Sequence, residues 1–372
     1  MKLTIERSVL LGALGHVQSV VERRNTIPIL SNVRLESDGG QLRLTATDMD
    51  LAIVETVDAD VAEAASGTIP AHTFYEIVRK LPEGSEVAIG SQAGEERIEV
   101  RAGRSRFSFG TLPVEDFPVM AEGSLPHGFA LPVAELRRLI DKTRFAISLE
   151  ETRYYLNGIY LHAVKNGKNM ALRAVATDGH RLARVETALP EGAAEMPGVI
   201  IPRKSVTELR KLLDDLTDDV TIALSETKIR FTCAGVVLTS KLIDGTFPDY
   251  ARVIPEGNDR TMTVASKLFA QAVDRVSTIS TEKSRAIKLV IEPGKLTLQA
   301  SSTDDGSASE ELDADYAGEA LEIGFNSRYL LDMAQQIDGE NMQFCMADGT
   351  SPTVVRDDGD PGALYVVMPM RV

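Results

Sequence analysis

Residues 172–183 read LRAVATDGHRLA, and two weaker copies of this segment decide how the rest of the chain is organised. Residues 42–52 are LRLTATDMDLA and residues 296–308 are LTLQASSTDDGSA, which puts Asp48, Asp178 and Asp304 at equivalent positions, 130 and 126 residues apart. Self-similarity at a fixed long period marks a chain built from repeated structural units. A second triplet keeps the period: GTIPAHTFYEIVRKL (67–81), GVIIPRKSVTELRKLL (198–213) and LEIGFNSRYLLDMAQQI (321–337) align Pro70, Pro202 and Asn326. FGTLPVEDFPVM (109–120) and SKLIDGTFPDYARVIP (240–255) close the first two units with Phe-Pro ahead of a polar linker. Three similar domains are therefore expected, at 1–126, 127–254 and 255–372.

Taken alone, Asp178-Gly179-His180 and Arg181 admit an enzymatic reading, since a carboxylate beside an imidazole on a glycine turn can orient a tautomer or hold a metal. The repeats offer another. Asp48 and Asp304 share the place of Asp178, but Met49-Asp50 and Asp305-Gly306 replace Gly179-His180. An aspartate present in all three copies reads as a turn residue that bonds its own backbone, and His180 and Arg181 then read as a specialisation of the second unit. The residues alone leave both readings open.

Within a unit the pattern is strand, helix, three strands, repeated once. KLTIE (2–6) leads into an amphipathic stretch, 8–21, with Val9, Ala13, His16, Val17 and Val20 at helical spacing. NVRLES, QLRLTAT and LAIVETVDA alternate apolar and polar residues, with Asp38-Gly39-Gly40 as a hairpin turn. The second half runs GTIPA, a helix at 72–81, then EVAIGSQ, RIEVRAG and SRFSFGTL. Pro70 and Pro202 stand just ahead of their helices, where a missing amide proton costs little. Six such half-units imply an α+β chain whose antiparallel sheets carry helices on one face.

Composition excludes several classes. A chain of 372 residues, 43% hydrophobic, buries a sizeable core in more than one domain. Cys233 and Cys345 form neither a disulfide framework nor a CxxC knuckle and read as buried thiols of a reducing cytosol. The N-terminus imitates a secretory signal, but Glu6 precedes the apolar run, His16 and Gln18 interrupt it, and VERR follows where a cleavage site would stand. No apolar stretch is long enough for a bilayer span. GxxxxGK[ST] is absent; Gly167-Lys168 and Gly294-Lys295 lack the upstream glycine and the following hydroxyl. Neither cofactor nor metal is called for.

Charge is unevenly placed. The six helix windows (7–24, 72–81, 133–144, 203–213, 266–285, 327–337) hold 18 Lys plus Arg against 8 Asp plus Glu, so a chain of net charge −15 carries +10 on its helices and −25 elsewhere. Such a surface suits a phosphate backbone read without regard to sequence. Solvated helix faces also collect Lys and Arg, so a repeat scaffold that never meets DNA is the competing reading.

ERRNTIPILSNV (22–33), TRYYLNGIYL (152–161), ATDGHRLA (176–183), GTFPDYARVIP (245–255), IGFNSRYLLD (323–332) and the terminal YVVMPMRV (365–372), together with the threefold repeat, resemble the bacterial β sliding clamp family over the whole chain. These are the processivity subunits of DNA polymerase III. The resemblance implies the DNA clamp fold: a head-to-tail homodimer closing six similar domains into a ring, helices inside, sheets outside. It implies a non-catalytic, cytoplasmic, nucleoid-associated protein that encircles duplex DNA and touches no membrane. Its partners would be the polymerase III catalytic subunit, the clamp loader, other polymerases and repair proteins, which dock through short peptides. The cleft for those peptides maps onto Leu156, Thr177, Gly179, His180, Arg181, Leu182, Pro248, Arg252, Val253, Tyr329, Val366, Val367, Met368, Pro369, Met370 and Arg371. Unbranched, polarizable Met368 and Met370 suit varied apolar anchors. Backbone contacts to DNA fall to Arg24, Arg137, Arg138, Lys142, Arg153, Tyr154, Arg203, Lys204, Arg210 and Lys211, partly from helix position. The dimer contact is expected between Phe107 and Phe109 of the first domain and Thr278 and Ile279 of the third. Pro352, in GTSPTVV, departs from the Ser or Val common at the family's cleft edge.

Overall fold

Glu6 ends the first strand, Lys2–Glu6, and starts the first helix, because its carboxylate accepts the free amides of Ser8 at 2.9 Å and Val9 at 3.2 Å. The helix, α1 (Arg7–Gln18), buries Leu10, Ala13, Leu14 and Val17. Val9, expected on that face, is 41% exposed instead. His16 is half-buried, since Glu55 and Asp215 take its two ring nitrogens. The computed structural model describes residues 1–91, 97–121, 123–167, 169–280, 285–302 and 306–372. Asp304, Asp305, Lys168 and residues 281–284 of the fifth helix window lie outside the described residues.

The other helices are α2 (Ala71–Lys80), α3 (Val133–Arg144), α4 (Arg203–Leu212), α5 (Ser266–Ser277) and α6 (Ser327–Ala334), one in each of the expected windows. The aligned positions before the helices solve the same problem in different ways. Pro70 caps α2 with no side-chain bond, whereas the Asn326 side chain accepts the Arg328 amide at 3.0 Å. At the first hairpin, Gly39 and Gly40 both take positive φ (55° and 82°), the two-residue turn that Asp38-Gly39-Gly40 foretold.

The described residues form two compact units. The first comprises residues 1–136, 190–197 and 204–242. It holds a five-stranded antiparallel sheet in the order Asp60–Glu63, Lys2–Glu6, Glu86–Gly90, Arg97–Ala102, Ser105–Gly110. Its second sheet has eight strands: His127–Leu131, Val220–Leu224, Lys228–Cys233, Val236–Lys241, Leu51–Asp58, Gln41–Thr47, Asn32–Asp38, Ala65–Pro70. The junction is the pairing of Val236–Lys241 with Leu51–Asp58, where half of the second repeat extends half of the first into one continuous sheet.

The second unit comprises residues 137–189, 198–203 and 243–372. Its eight-stranded sheet runs Val199–Pro202, Gly158–Asn166, Asn169–Thr177, Arg181–Ala188, Ala363–Val367, Thr353–Asp357, Asn341–Met346, Arg260–Ala265, joined between repeats at Arg181–Ala188 and Ala363–Val367. A four-stranded sheet orders Gly306–Asp313, Lys295–Ser302, Ala286–Glu292, Leu321–Asn326. Backbone pairing across repeat boundaries makes the compact units cut across the sequence repeats. Cys233 is buried, while Cys345, expected to be buried too, is only half-buried. Among the described residues no helix is long and apolar enough to cross a membrane.

Candidate functional site

The repeated aspartate turn carries its own hydrogen-bond pattern. Asp178 Oδ1 accepts the amides of His180 (2.9 Å) and Arg181 (3.0 Å), Thr177 Oγ1 donates to the Arg181 carbonyl (2.7 Å), and Gly179 sits at φ 88°. Asp48 does the same in the first copy, accepting from Asp50 (2.9 Å) and Leu51 (2.7 Å), with Met49 at φ 78°. The second carboxylate oxygen of Asp178 accepts from Arg181 Nε at 3.1 Å, and the His180 ring stacks near Tyr329, centroids 6.4 Å apart. Asp178 is thus committed to the backbone and to Arg181, and the enzymatic reading loses its acid.

Arg181 is only 9% exposed. Its guanidinium donates to Asp332 at 2.5 Å and to the Phe145 carbonyl at 2.6 Å, and lies 4.4 Å from the Tyr329 ring centroid. The turn it anchors forms one wall of a cavity of about 260 Å³ lined by Arg153, Tyr155, Leu156, Thr177, Gly179, His180, Arg181, Leu182, Pro248, Val253, Val366 and Met368. Strand register sets Leu182 opposite Val366, and the Met368 amide donates to the His180 carbonyl at 2.9 Å. The floor is a buried apolar cluster that includes Leu156, Val175, Leu182, Phe247, Tyr250, Val354 and Val366. Tyr250 is fixed from beneath: its hydroxyl meets Arg173 and His162 at 3.0 Å each, and Arg173 is held by Glu186 at 2.7 Å. Burial holds the His162 imidazole below its ordinary pKa. Rigid floor, partly exposed Val253 and Met368 at the rim, and few polar groups suit the apolar side chains of an extended peptide.

Ten of the sixteen expected cleft residues line this cavity, and Tyr329 stands behind His180. The others do not. Arg252 is exposed and pairs with Asp249 at 2.8 Å. Val367 is fully buried, because strand alternation sends it to the face opposite Val366. Pro369, Met370 and Arg371 line a different cavity with Lys288, Glu322 and Thr350, since the Met370 amide bonds the Gly324 carbonyl at 2.9 Å and draws the chain end away. Pro352 lies outside the lining, its carbonyl accepting from Asn258 at 2.9 Å. Tyr155 was not foreseen: TRYYL offers two tyrosines in a 3-10 turn, Glu151–Leu156, and no periodicity says which turns inward. Arg153, expected at phosphate, lines the cleft and pairs with Glu150 at 2.5 Å.

Lys142 needs the clearest correction. It is 5% exposed, with Asp338, Asp360 and Asp357 at 2.7, 3.0 and 3.2 Å. Burial works against its charge, but the three carboxylates outweigh burial and raise its pKa. Burial likewise opposes ionisation of Asp360, yet Arg138, at 2.5 Å, and Lys142 hold it down at about 2. Lys142 is therefore a structural cation enclosed by carboxylates and out of reach of phosphate. Other expected cations also carry acidic neighbours: Lys204 with Asp48 (2.5 Å) and Glu22 (2.9 Å), Arg210 with Asp214 (2.5 Å), Lys211 with Glu208 (2.8 Å). Arg24, Arg203 and Tyr154 are exposed, and Arg137 is half-buried.

Of the expected dimer residues, Phe109 is mostly buried within its own chain and packs edge-on against Phe74 at 5.9 Å. Phe107 and Ile279 are half-buried and Thr278 is exposed. Within their sheets, Ser105–Gly110 and Gly306–Asp313 are outer strands.

Comparison with known proteins covers the chain end to end. Family models described as DNA polymerase III beta subunit match in order: the N-terminal domain over residues 1–121, the central domain over 130–249 and the C-terminal domain over 251–371. The beta sliding clamp of Caulobacter vibrioides is 55% identical over 372 residues, and that of Escherichia coli K12 is 39% identical over 375, each with full coverage of both chains. A crystal structure of the Caulobacter crescentus beta sliding clamp superposes with a TM-score of 0.97 at 55% identity, covering 100% of this chain and 99% of that one. A Bartonella birtlesii sliding clamp bound to griselimycin matches with a TM-score of 0.97 at 51% identity and full coverage of both chains.

Proposed function

The chain belongs to the DNA polymerase III beta subunit family, the beta sliding clamps, a family of three-domain, non-catalytic processivity subunits, and from that premise we propose how its own residues do the work. Two copies close head to tail into a ring around duplex DNA. Domains near 1–126, 127–254 and 255–372 repeat around it, and a heterologous contact between first and third domains closes it. Open edges support this closure: among the described residues Ser105–Gly110 and Gly306–Asp313 each pair on one side only. Arg97 stands beside the first, where Arg101 and Arg106 are already held by Glu99, and the second carries Glu310, held by Arg275, with Glu311 and Asp313. Arg24, Arg137, Arg138, Arg203, Lys204, Arg210 and Lys211 remain the candidates for phosphate contact. Acidic neighbours of Arg138, Lys204, Arg210 and Lys211 keep those grips weak, which suits sliding. The protein works in the cytoplasm at the nucleoid.

The apolar cavity beside the Asp178 turn receives short peptides from the polymerase III catalytic subunit, the clamp loader, other polymerases and repair proteins. The observation that carries this assignment is the convergence of Leu156, Leu182, Val253, Val366 and Met368 on one cavity whose wall is fixed by Arg181. Deleting residues 368–372 tests it by fluorescence anisotropy with a labelled peptide from a polymerase catalytic subunit. Loss of binding with an unchanged native dimer mass is expected; undiminished binding would move the peptide site elsewhere.

A further inference from the structure

The repeat places a second groove where the first unit's eight-stranded sheet mirrors the peptide-binding sheet of the second unit, and its chemistry is different. In the second unit, FPDY (247–250) lays Tyr250 into the sheet, where it meets Arg173, itself neutralised by Glu186. The corresponding segment of the first unit is FPVM (117–120). Phe117 is buried as Phe247 is, but Met120 stands in place of Tyr250 and Val119 is 73% exposed. Arg43 takes the place of Arg173, and the residue across the strand from it is Thr56 where the second unit has Glu186. The fill and the counter-charge are both missing, leaving an open cavity of about 570 Å³.

Its floor shows a systematic exchange. The register row Thr177, Leu182, Val366, Val354 of the apolar cleft becomes Thr47, Ala52, Thr239, Arg230. The neighbouring row is Arg34, Thr45, Val54, Val237, Thr232. Three guanidiniums, of Arg34, Arg43 and Arg230, share the groove with one carboxylate, Glu36, which is bonded to Arg34 at 2.7 Å. The Nε atoms of Arg34 and Arg230 are buried without a hydrogen-bond partner. This excess of positive charge lies in a chain of net charge −15.

We infer that this groove is a second peptide-binding site, one that takes an extended acidic segment carrying an apolar side chain. The guanidiniums supply charge-assisted donors for carboxylates. Threonine hydroxyls at alternate strand positions serve polar groups of an extended chain, and Val119 with Met120 forms an apolar lip. The apolar floor of Ala52, Val54 and Val237, with the Val119 and Met120 lip, favours a peptide carrying an apolar side chain over a bare run of phosphates.

The test uses a fluorescein-labelled peptide, Gly-Ser-Glu-Asp-Leu-Glu-Asp-Phe-Gly, on the full-length protein. The acidic peptide should bind, lose affinity as salt rises, and lose about tenfold or more on exchange of its acids for Gln and Asn. Arg43→Ala and Arg230→Ala, checked for unchanged melting temperature, should each weaken it about tenfold, and deletion of residues 368–372 should not. In a methionine-methyl NMR spectrum of the wild type, the Met120 resonance should shift with the peptide, a readout that stands even if an arginine variant misfolds. Equal binding of the amide peptide, indifference to both arginine substitutions, or an unmoved Met120 overturns the inference. So does a Met120 shift produced by a single-stranded oligonucleotide and not by the peptide.

Discussion

At the scale of single residues, neighbouring positions in VATDGHRLA do different work. Arg181 is buried between Asp178, Asp332 and the Phe145 carbonyl, so Arg181→Ala leaves acceptors unpaired and should destabilise the second unit by on the order of 2–4 kcal/mol in chemical denaturation. His180 is exposed, and His180→Ala should leave stability unchanged and weaken peptide binding by less than about 1 kcal/mol, whereas truncating Leu182, Val253 or Met368 should cost on the order of 1–3 kcal/mol of binding energy each. A ranking with His180 above all three would refute the anchor assignment. His16 gives a pH prediction. Its hydrogen bond to Glu55 at 2.7 Å, helped by Asp215 at 3.0 Å, raises it to about 9. A cation favoured in the folded state contributes fully below the unfolded value near 6.5 and is lost as pH rises through about 9. The unfolding free energy of the first unit should therefore fall between pH 6.5 and pH 9.5, by on the order of 2 kcal/mol, and His16→Gln should flatten that slope. The Asp178 turn was legible because three copies exposed it. Lys142 was not: in ELRRLIDKTR it looks like any solvated helix-face cation, and the carboxylates that enclose it, Asp338, Asp357 and Asp360, stand about two hundred positions away.

At the scale of elements, alternation and capping decided what the sequence could reveal. Helix positions were readable from apolar spacing and from Pro70, Pro202 and Asn326, and the hairpin from Asp38-Gly39-Gly40. What pairs with what across a repeat boundary was not, because Val236–Lys241 beside Leu51–Asp58 is a long-range choice that leaves no local mark. The same limit hid the packing of Phe109 onto Phe74 within its own chain. The open edge of that strand is the backbone part of the proposed dimer contact. Replacing Arg106 and Ser108 by proline, alternate residues whose amides both point away from Arg97–Ala102, removes two donors from the Ser105–Gly110 edge; native mass spectrometry at micromolar concentration should show monomer while the circular dichroism of the fold persists. A dimer that survives this change would place the contact elsewhere. Charge reversal of Glu310 and Glu311 to lysine on Gly306–Asp313 should loosen the dimer more at low salt than at high salt, as expected of complementary edges.

At the scale of the whole molecule, the proposed function turns on ring closure: the chain would stay on DNA because a ring closes around it, and the cations on its helices would only let it slide. Composition alone pointed the other way, since a net charge of −15 is unfavourable for a protein that meets DNA. The repeat and the separation of charge by element left a DNA-free scaffold as a competing reading, and membership of the sliding clamp family decides for the clamp. The most direct test is retention of the labelled protein after a clamp loader has placed it on nicked circular duplex DNA, followed by a wash at high salt with and without linearisation. Phosphate affinity is lost steeply as salt rises, whereas a closed ring is indifferent to salt and sensitive to a free end. The account predicts retention through the wash on circles and loss within the same wash once the DNA is cut. Equal loss from circular and linear DNA as salt rises would contradict it.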